Sequence, residues 1–211
     1  MLELATENLY RAFEDVPNPN RIYGCPCCVT ELELQTLVEK PLRKLTPDDL
    51  SVYASSAFLT VGSVDDYLYL LPRILDISAF DKDWWPSIEV TGRAIKDANP
   101  SSWASNKREA VQAFLTAVLA SIIEKKEFNR IDEWMCGAAR MEMDVIPLLG
   151  QIEEEKDAVV AFWEDNSGKF HERKLGNEFW ELPNKGHDQI VDWFLLPKIN
   201  LIYAEMYGYK M

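Results

Sequence analysis

Apolar side chains recur every three or four positions along most of this 211-residue chain, the spacing that gathers them on one face of an α-helix. Leu2, Ala5, Leu9, Phe13 and Val16 mark a first helix from Leu2 to about Asp15, ended by Pro17 and Pro19. Thr30 reads as the N-cap of a short helix carrying Leu32, Leu34, Leu37 and Val38 and stopping before Pro41. Thr46-Pro47-Asp48-Asp49 is the clearest helix start: a capping hydroxyl, a proline in the first turn, and two acids facing the positive end of the dipole. That helix is expected to run through Leu50, Tyr53 and Phe58 to Gly62. Ser63 caps the next, whose apolar face is Tyr67, Leu70, Leu71, Ile74 and Leu75, with a kink expected at Pro72.

The same periodicity predicts helices from Pro86 to about Ala98, Asn106 to about Lys125, Ile131 to Met141 and Val145 to Trp163. A last one starts near Asp188 and bends at Pro197. Phe170 to Leu182 fits a hairpin turning at Gly176-Asn177 about as well as a helix that stops and restarts there; helix or loop is the reading adopted. The fold class is therefore all-α, an irregular multi-helix bundle or solenoid-like stack of about eight or nine helices. No fixed repeat period is present. A single helical domain is expected over residues 1–211, with a weak subdivision near 99–102, where Asn99-Pro100-Ser101-Ser102 breaks the pattern.

Composition supports helices: only 9 glycines are present, too few for many hairpin turns or phosphate loops. The net charge of −13 repels phosphate backbones and anionic surfaces, so neither nucleic acid nor membrane is expected as a partner, and a basic protein would be attracted. The most apolar helix, around Ala110 to Ile123, is interrupted by Gln112, Thr116 and Ser121. The first residues carry acids where a signal peptide needs bases. A cytoplasmic location is the expectation. Arg43 and Arg73, each beside a proline and near acid-rich helix starts, are candidates for buried ion pairs.

Cys25-Pro26-Cys27-Cys28 is the most unusual local feature. Cys25 and Cys28 have the spacing with which two thiolates grip one zinc, which makes Cys25, Cys27 and Cys28 the only metal-ligand candidates. Away from the loop only Cys136, His171 and His187 could complete such a site, and no second pair is arranged among them. A thioredoxin-like role would need an upstream strand that the pattern does not show. Packing of small cysteines beneath the first two helices is the first reading, zinc the second and redox chemistry the third.

Catalytic patterns fail one by one. His187-Asp188 lacks the separate partners of metal-dependent HD phosphohydrolases, and Asp188 serves more simply as a helix N-cap. Asp65-Asp66 lacks a third acid where Tyr69 stands. Neither histidine follows a glutamate by three residues, and no Gly-x-Ser-x-Gly is present. No enzyme activity is expected, an active site assembled from dispersed Asp, Glu, Arg and Tyr residues being the remaining alternative. Between Glu142 and Asp165, by contrast, eight acids face one base, Lys156, a local balance of −7. Glu153, Glu154, Glu155 and Asp157 are the densest part, a solvated face or a partner-binding surface for a basic protein.

The stretch from Tyr23 to Ile77 contains Gly24-Cys25-Pro26-Cys27-Cys28-Val29, Pro41-Leu42-Arg43-Lys44-Leu45-Thr46, Asp49-Leu50, Tyr53-Ala54, Gly62, Asp65-Asp66 and Leu71-Pro72-Arg73-Ile74-Leu75. This succession resembles a group of uncharacterised bacterial cytoplasmic all-helical proteins with a CxCC loop, associated with toxin and immunity neighbourhoods. The resemblance spans about a quarter of the chain and implies a bacterial origin. Together with the acidity it leads to the expectation of a non-enzymatic interaction protein, an immunity protein that binds and neutralises a co-encoded toxin. The alternative is a metal- or thiol-dependent protein centred on Cys25, Cys27 and Cys28.

Overall fold

The structure, a computed structural model, describes residues 1–208 apart from the side chain of His171. It is all-helical, with no strand among the described residues. Two compact units divide the chain: Leu2–Phe114, and Leu115–Met211 counted with Met1.

The first unit contains α1 (Leu2–Ala12), α2 (Glu31–Glu39), α3 (Pro47–Ser56), α4 (Val64–Phe80), α5 (Ile88–Asp97) and the first half of α6 (Ser105–Glu124). Reciprocal capping boxes start three successive helices. Thr30, Thr46 and Ser63 each accept a bond from the backbone N–H three residues on, and Glu33, Asp49 and Asp66 each accept one back. Both partners of each box satisfy backbone groups that a helix start leaves orphaned. α4 is central to the unit's core: Leu70, Leu71, Ile74 and Leu75 are fully buried, and α1 and α3 pack against it. The helix continues through Pro72 to Phe80. α3 stops at Ser56, earlier than Gly62, because Ala57 and Val61 close a tight turn.

Both arginines are paired, but only the Arg73 pair is largely buried; the Arg43–Glu7 pair is half exposed. Arg73 donates to Asp76 at 2.6 Å and to the Leu45 carbonyl at 2.8 Å, and the Tyr10 hydroxyl donates to the same Asp76 carboxylate at 2.8 Å. Arg43 grips Glu7 through two bonds of 2.5 and 2.8 Å and lies over the Tyr10 ring.

The second unit contains the rest of α6, α7 (Ile131–Arg140), α8 (Ile146–Glu153), α9 (Lys156–Asn166), α10 (Lys185–Phe194) and α11 (Pro197–Met206). α9 contacts α7, α8 and α11, and its Phe162 meets Phe194 of α10 with ring centroids 4.9 Å apart. The described residues thus form eleven α-helices rather than eight or nine. Both extra breaks have local causes. The expected helix from Val145 to Trp163 divides because Glu155 is extended and caps α9 with its own side chain. The last divides at Leu196, extended ahead of Pro197, whose ring disfavours a helical predecessor. α10 also begins earlier than expected. Asn184, not Asp188, is its N-cap, accepting from the His187 N–H at 2.9 Å; Asp188 lies inside the first turn.

The ambiguous segment is neither hairpin nor continuous helix. A 3-10 turn covers Ser167–Glu172, and the chain beyond is held by a polar network rather than by strand pairing. The fully buried Asn166 donates to Asp132 and accepts from the Gly176 N–H at 2.7 Å, while Asn177 donates to the other Asp132 oxygen. Gly176 approaches so closely that a Cβ there would stand 2.1 Å from the Asp165 carbonyl oxygen. Gly176→Ala should therefore destabilise the protein by about 2 kcal/mol or more through backbone displacement and loss of the Asn166 bond. Urea unfolding with an unchanged midpoint would show that this approach is not required.

Candidate functional site: the thiol loop and the acidic turn

The thiol loop is assembled by backbone bonds across sequence. Gly24 bridges Val61, the Tyr23 carbonyl accepts from the Gly62 N–H at 2.8 Å, and the Cys25 N–H donates to the Thr60 carbonyl at 2.7 Å. The Cys25 carbonyl then accepts from the N–H groups of both Cys28 and Val29, which closes a tight turn around Pro26 and Cys27. Ile22 and Val29 anchor its ends in the core. Gly24 is required by closeness: a Cβ there would lie 2.5 Å from Val29 Cγ1 and 3.0 Å from Val61 Cγ2.

This turn points its cysteines outward. Cys27 and Cys28 are exposed and Cys25 is half-buried, so Cys27 and Cys28 do not pack beneath the first two helices as expected. Cys25 Sγ lies 2.8 Å from Cys27 Sγ, which lies 3.6 Å from Cys28 Sγ. The three sulfurs all fall within 4.8 Å of one another. The fourth cysteine, Cys136, is buried in α7, and His187 is buried in α10 against the Trp180 ring. Neither belongs to the cluster. The side chain of His171 lies outside the described part. Spacing alone suggested a Cys25–Cys28 pair; the convergence of Cys27 as well depends on the turn, which no sequence pattern announces.

The thiols are not equivalent. Hydrogen bonding from the Cys27 thiol, then from its backbone N–H, lowers the Cys25 pKa below the ordinary thiol value. Cys27, donating toward Cys25 and Cys28, is pushed up to about 11. Thiolate is the nucleophile, so Cys25 should react with iodoacetamide before Cys27 between about pH 7 and pH 9, the difference narrowing as Cys27 ionises near pH 11. Peptide mapping after brief alkylation checks the order; faster modification of Cys27 at pH 7 would contradict it.

The acidic residues divide between two tasks. Glu153, at the end of α8, is committed internally: it accepts from the buried Trp193 indole N–H at 2.6 Å and from the Lys198 ammonium at 2.5 Å. Burial opposes its ionisation, but Lys198 and Trp193 outweigh that and hold its pKa below the ordinary value. Glu154 and Asp157 are exposed, and Glu155 is half-buried as the α9 cap. Lys156, the one base in this stretch, pairs with Glu205 at 3.0 Å. Farther along α9, burial together with the charges of Asp132 and Glu164 raises the Asp165 pKa.

No protein-family model matches the chain, and neither a curated protein nor a solved structure matches it. No helix among the described residues is long and apolar enough to cross a membrane.

Glu153→Ala should cost about 1–3 kcal/mol, since the Trp193 N–H loses its acceptor in a nearly closed environment. Thermal unfolding of the variant measures this; an unshifted transition would mean that Trp193 finds another acceptor.

Proposed function

We propose that the protein acts by binding another protein rather than by catalysis, and most concretely that it is a bacterial cytoplasmic immunity protein that captures and neutralises a basic, co-encoded toxin. In this reading its helices form an irregular bundle, in part a solenoid-like stack, that presents acids on a rigid frame. The observation that carries the reading is the turn between α8 and α9. Glu154 and Asp157 stand exposed there while the local base, Lys156, is already engaged by Glu205. The net charge of −13 extends the same field over the chain. Such a field accelerates capture of a cation-rich surface and rejects anionic ones. The resemblance of the Tyr23 to Ile77 stretch to proteins of toxin and immunity neighbourhoods supports a toxin as the partner.

The internal duty of Glu153 decides how the surface is tested. Charge reversal at Glu153 would unseat Trp193 and Lys198, so the variant of choice is Glu154→Lys with Asp157→Lys. Affinity capture of the wild-type chain from its native cell should bring down one basic protein at equal stoichiometry, toxic when expressed alone. The double variant should associate with it about tenfold or more slowly at low salt, with the difference vanishing at high salt. Undiminished association and protection with a folded double variant would sink the assignment of this surface. Capture of no partner would sink the wider reading.

A further inference from the structure

We propose that Cys25, Cys27 and Cys28 form a three-thiolate site for one soft, filled-shell cation, and that monovalent copper is the ion it fits. This does not depend on the protein-binding reading above.

Exposure is the first argument. Cysteine is among the most often buried residue types, yet Cys27 and Cys28 are exposed and Cys25 is half-buried within a single four-residue turn. Two exposed thiols crowded beside a half-buried third contribute little to a core.

Geometry is the second. With metal–sulfur bonds of about 2.3 Å, thiolates stand about 3.8 Å apart in tetrahedral and about 4.0 Å apart in trigonal arrangements. The Cys27–Cys28 separation of 3.6 Å is close to these values. The Cys25–Cys27 separation of 2.8 Å is shorter, and turning the exposed Cys27 side chain outward opens it. Cys25 is fixed to Thr60, and the Cys28 and Val29 N–H groups are fixed to the Cys25 carbonyl. Little ordering is left for a ligand to impose on the chain.

Donor type and number select the ion. Thiolates favour monovalent copper, zinc and iron–sulfur clusters. Clusters are held by four cysteines, and structural zinc sites are closed by four ligands. Here three sulfurs converge, and no further His, Cys, Asp or Glu among the described residues joins their group. The adjacent acids have other duties: Glu31 pairs with Arg21 at 3.4 Å, and Glu33 is held in the capping box of Thr30. Three-coordination completes the requirement of monovalent copper, whereas zinc held here would need water as its fourth ligand. Binding breaks the S–H bonds, releases those protons to solvent and forms three Cu–S bonds. The metal is supplied already reduced, so no electron is transferred.

The test uses the full-length chain without a histidine tag, reduced under anaerobic conditions and titrated with monovalent copper against a chromophoric chelator. One ion per chain is expected, with three sulfur neighbours by X-ray absorption. One equivalent should protect three of the four cysteines from alkylation and leave Cys136 as it was. Loss of an outer-shell partner already weakens metal sites by about 10–100-fold, so Cys27→Ser and Cys28→Ser should weaken binding at least that much, whereas Cys136→Ser should not. Far-UV circular dichroism verifies that these variants fold, and the protection assay needs no variant. A parallel titration with zinc should give an ion that one equivalent of monovalent copper displaces. Retention of copper by Cys27→Ser and Cys28→Ser as tight as in the unaltered chain would overturn the proposal. So would absence of protection, or zinc that copper cannot displace.

Discussion

A short helix in water is only marginally stable, and this chain is built from α-helices of 8 to 20 residues. In a helix of eight or ten residues most backbone groups lie within four positions of an end, so the satisfaction of ends governs whether the element forms at all. The Leu2–Phe114 unit meets this requirement with three capping boxes in succession, at Thr30, Thr46 and Ser63. Their positions fix where α2, α3 and α4 start, and so which residues of α4 face α1 and α3. The second unit relies on less regular devices: Glu155 caps α9 across two residues, and Asn184 caps α10.

This difference explains what could be read from the sequence. Hydroxyl-plus-acid starts and flanking prolines are local chemistry, and the starts of α2, α3 and α4 lie at their expected positions, whereas the end of α3 falls six residues short of Gly62. The two missed breaks were hidden for opposite reasons. Glu153-Glu154-Glu155 continues an apolar period without glycine or proline, and only the extended backbone of Glu155 interrupts it. Pro197 was visible, but whether a proline bends a helix or starts a new one depends on its predecessor. Here Leu196 leaves the helix, whereas α4 carries Pro72 in its interior without stopping. The buried network of Asp132, Asn166, Gly176 and Asn177 joins residues far apart in sequence, and periodicity carries no trace of it.

The candidate sites show the same division. That the cysteines were unusual was plain from their crowding; that they face solvent was not, because exposure follows from Ile22 and Val29 anchoring the loop on either side. The acidic stretch looked uniform in sequence, yet neighbouring glutamates have different work. Glu153 satisfies a buried indole and an ammonium, Glu155 a helix start, and Glu154 neither of these. The chain leaves α8 after Glu153 and is extended at Glu155, so these neighbouring side chains point in different directions and a run of like charge is not one surface.

The backbone clamp between Tyr23–Cys25 and Thr60–Gly62 has a mechanical consequence. Gly62 directly precedes Ser63, whose hydroxyl and N–H set the first turn of α4. The Cys25 peptide is therefore tied through Thr60 to the residues that open α4, whose Leu70, Leu71, Ile74 and Leu75 are fully buried. The outermost sulfurs and the innermost apolar side chains are only a few covalent and hydrogen-bonded links apart. The surface turn is a handle on the interior.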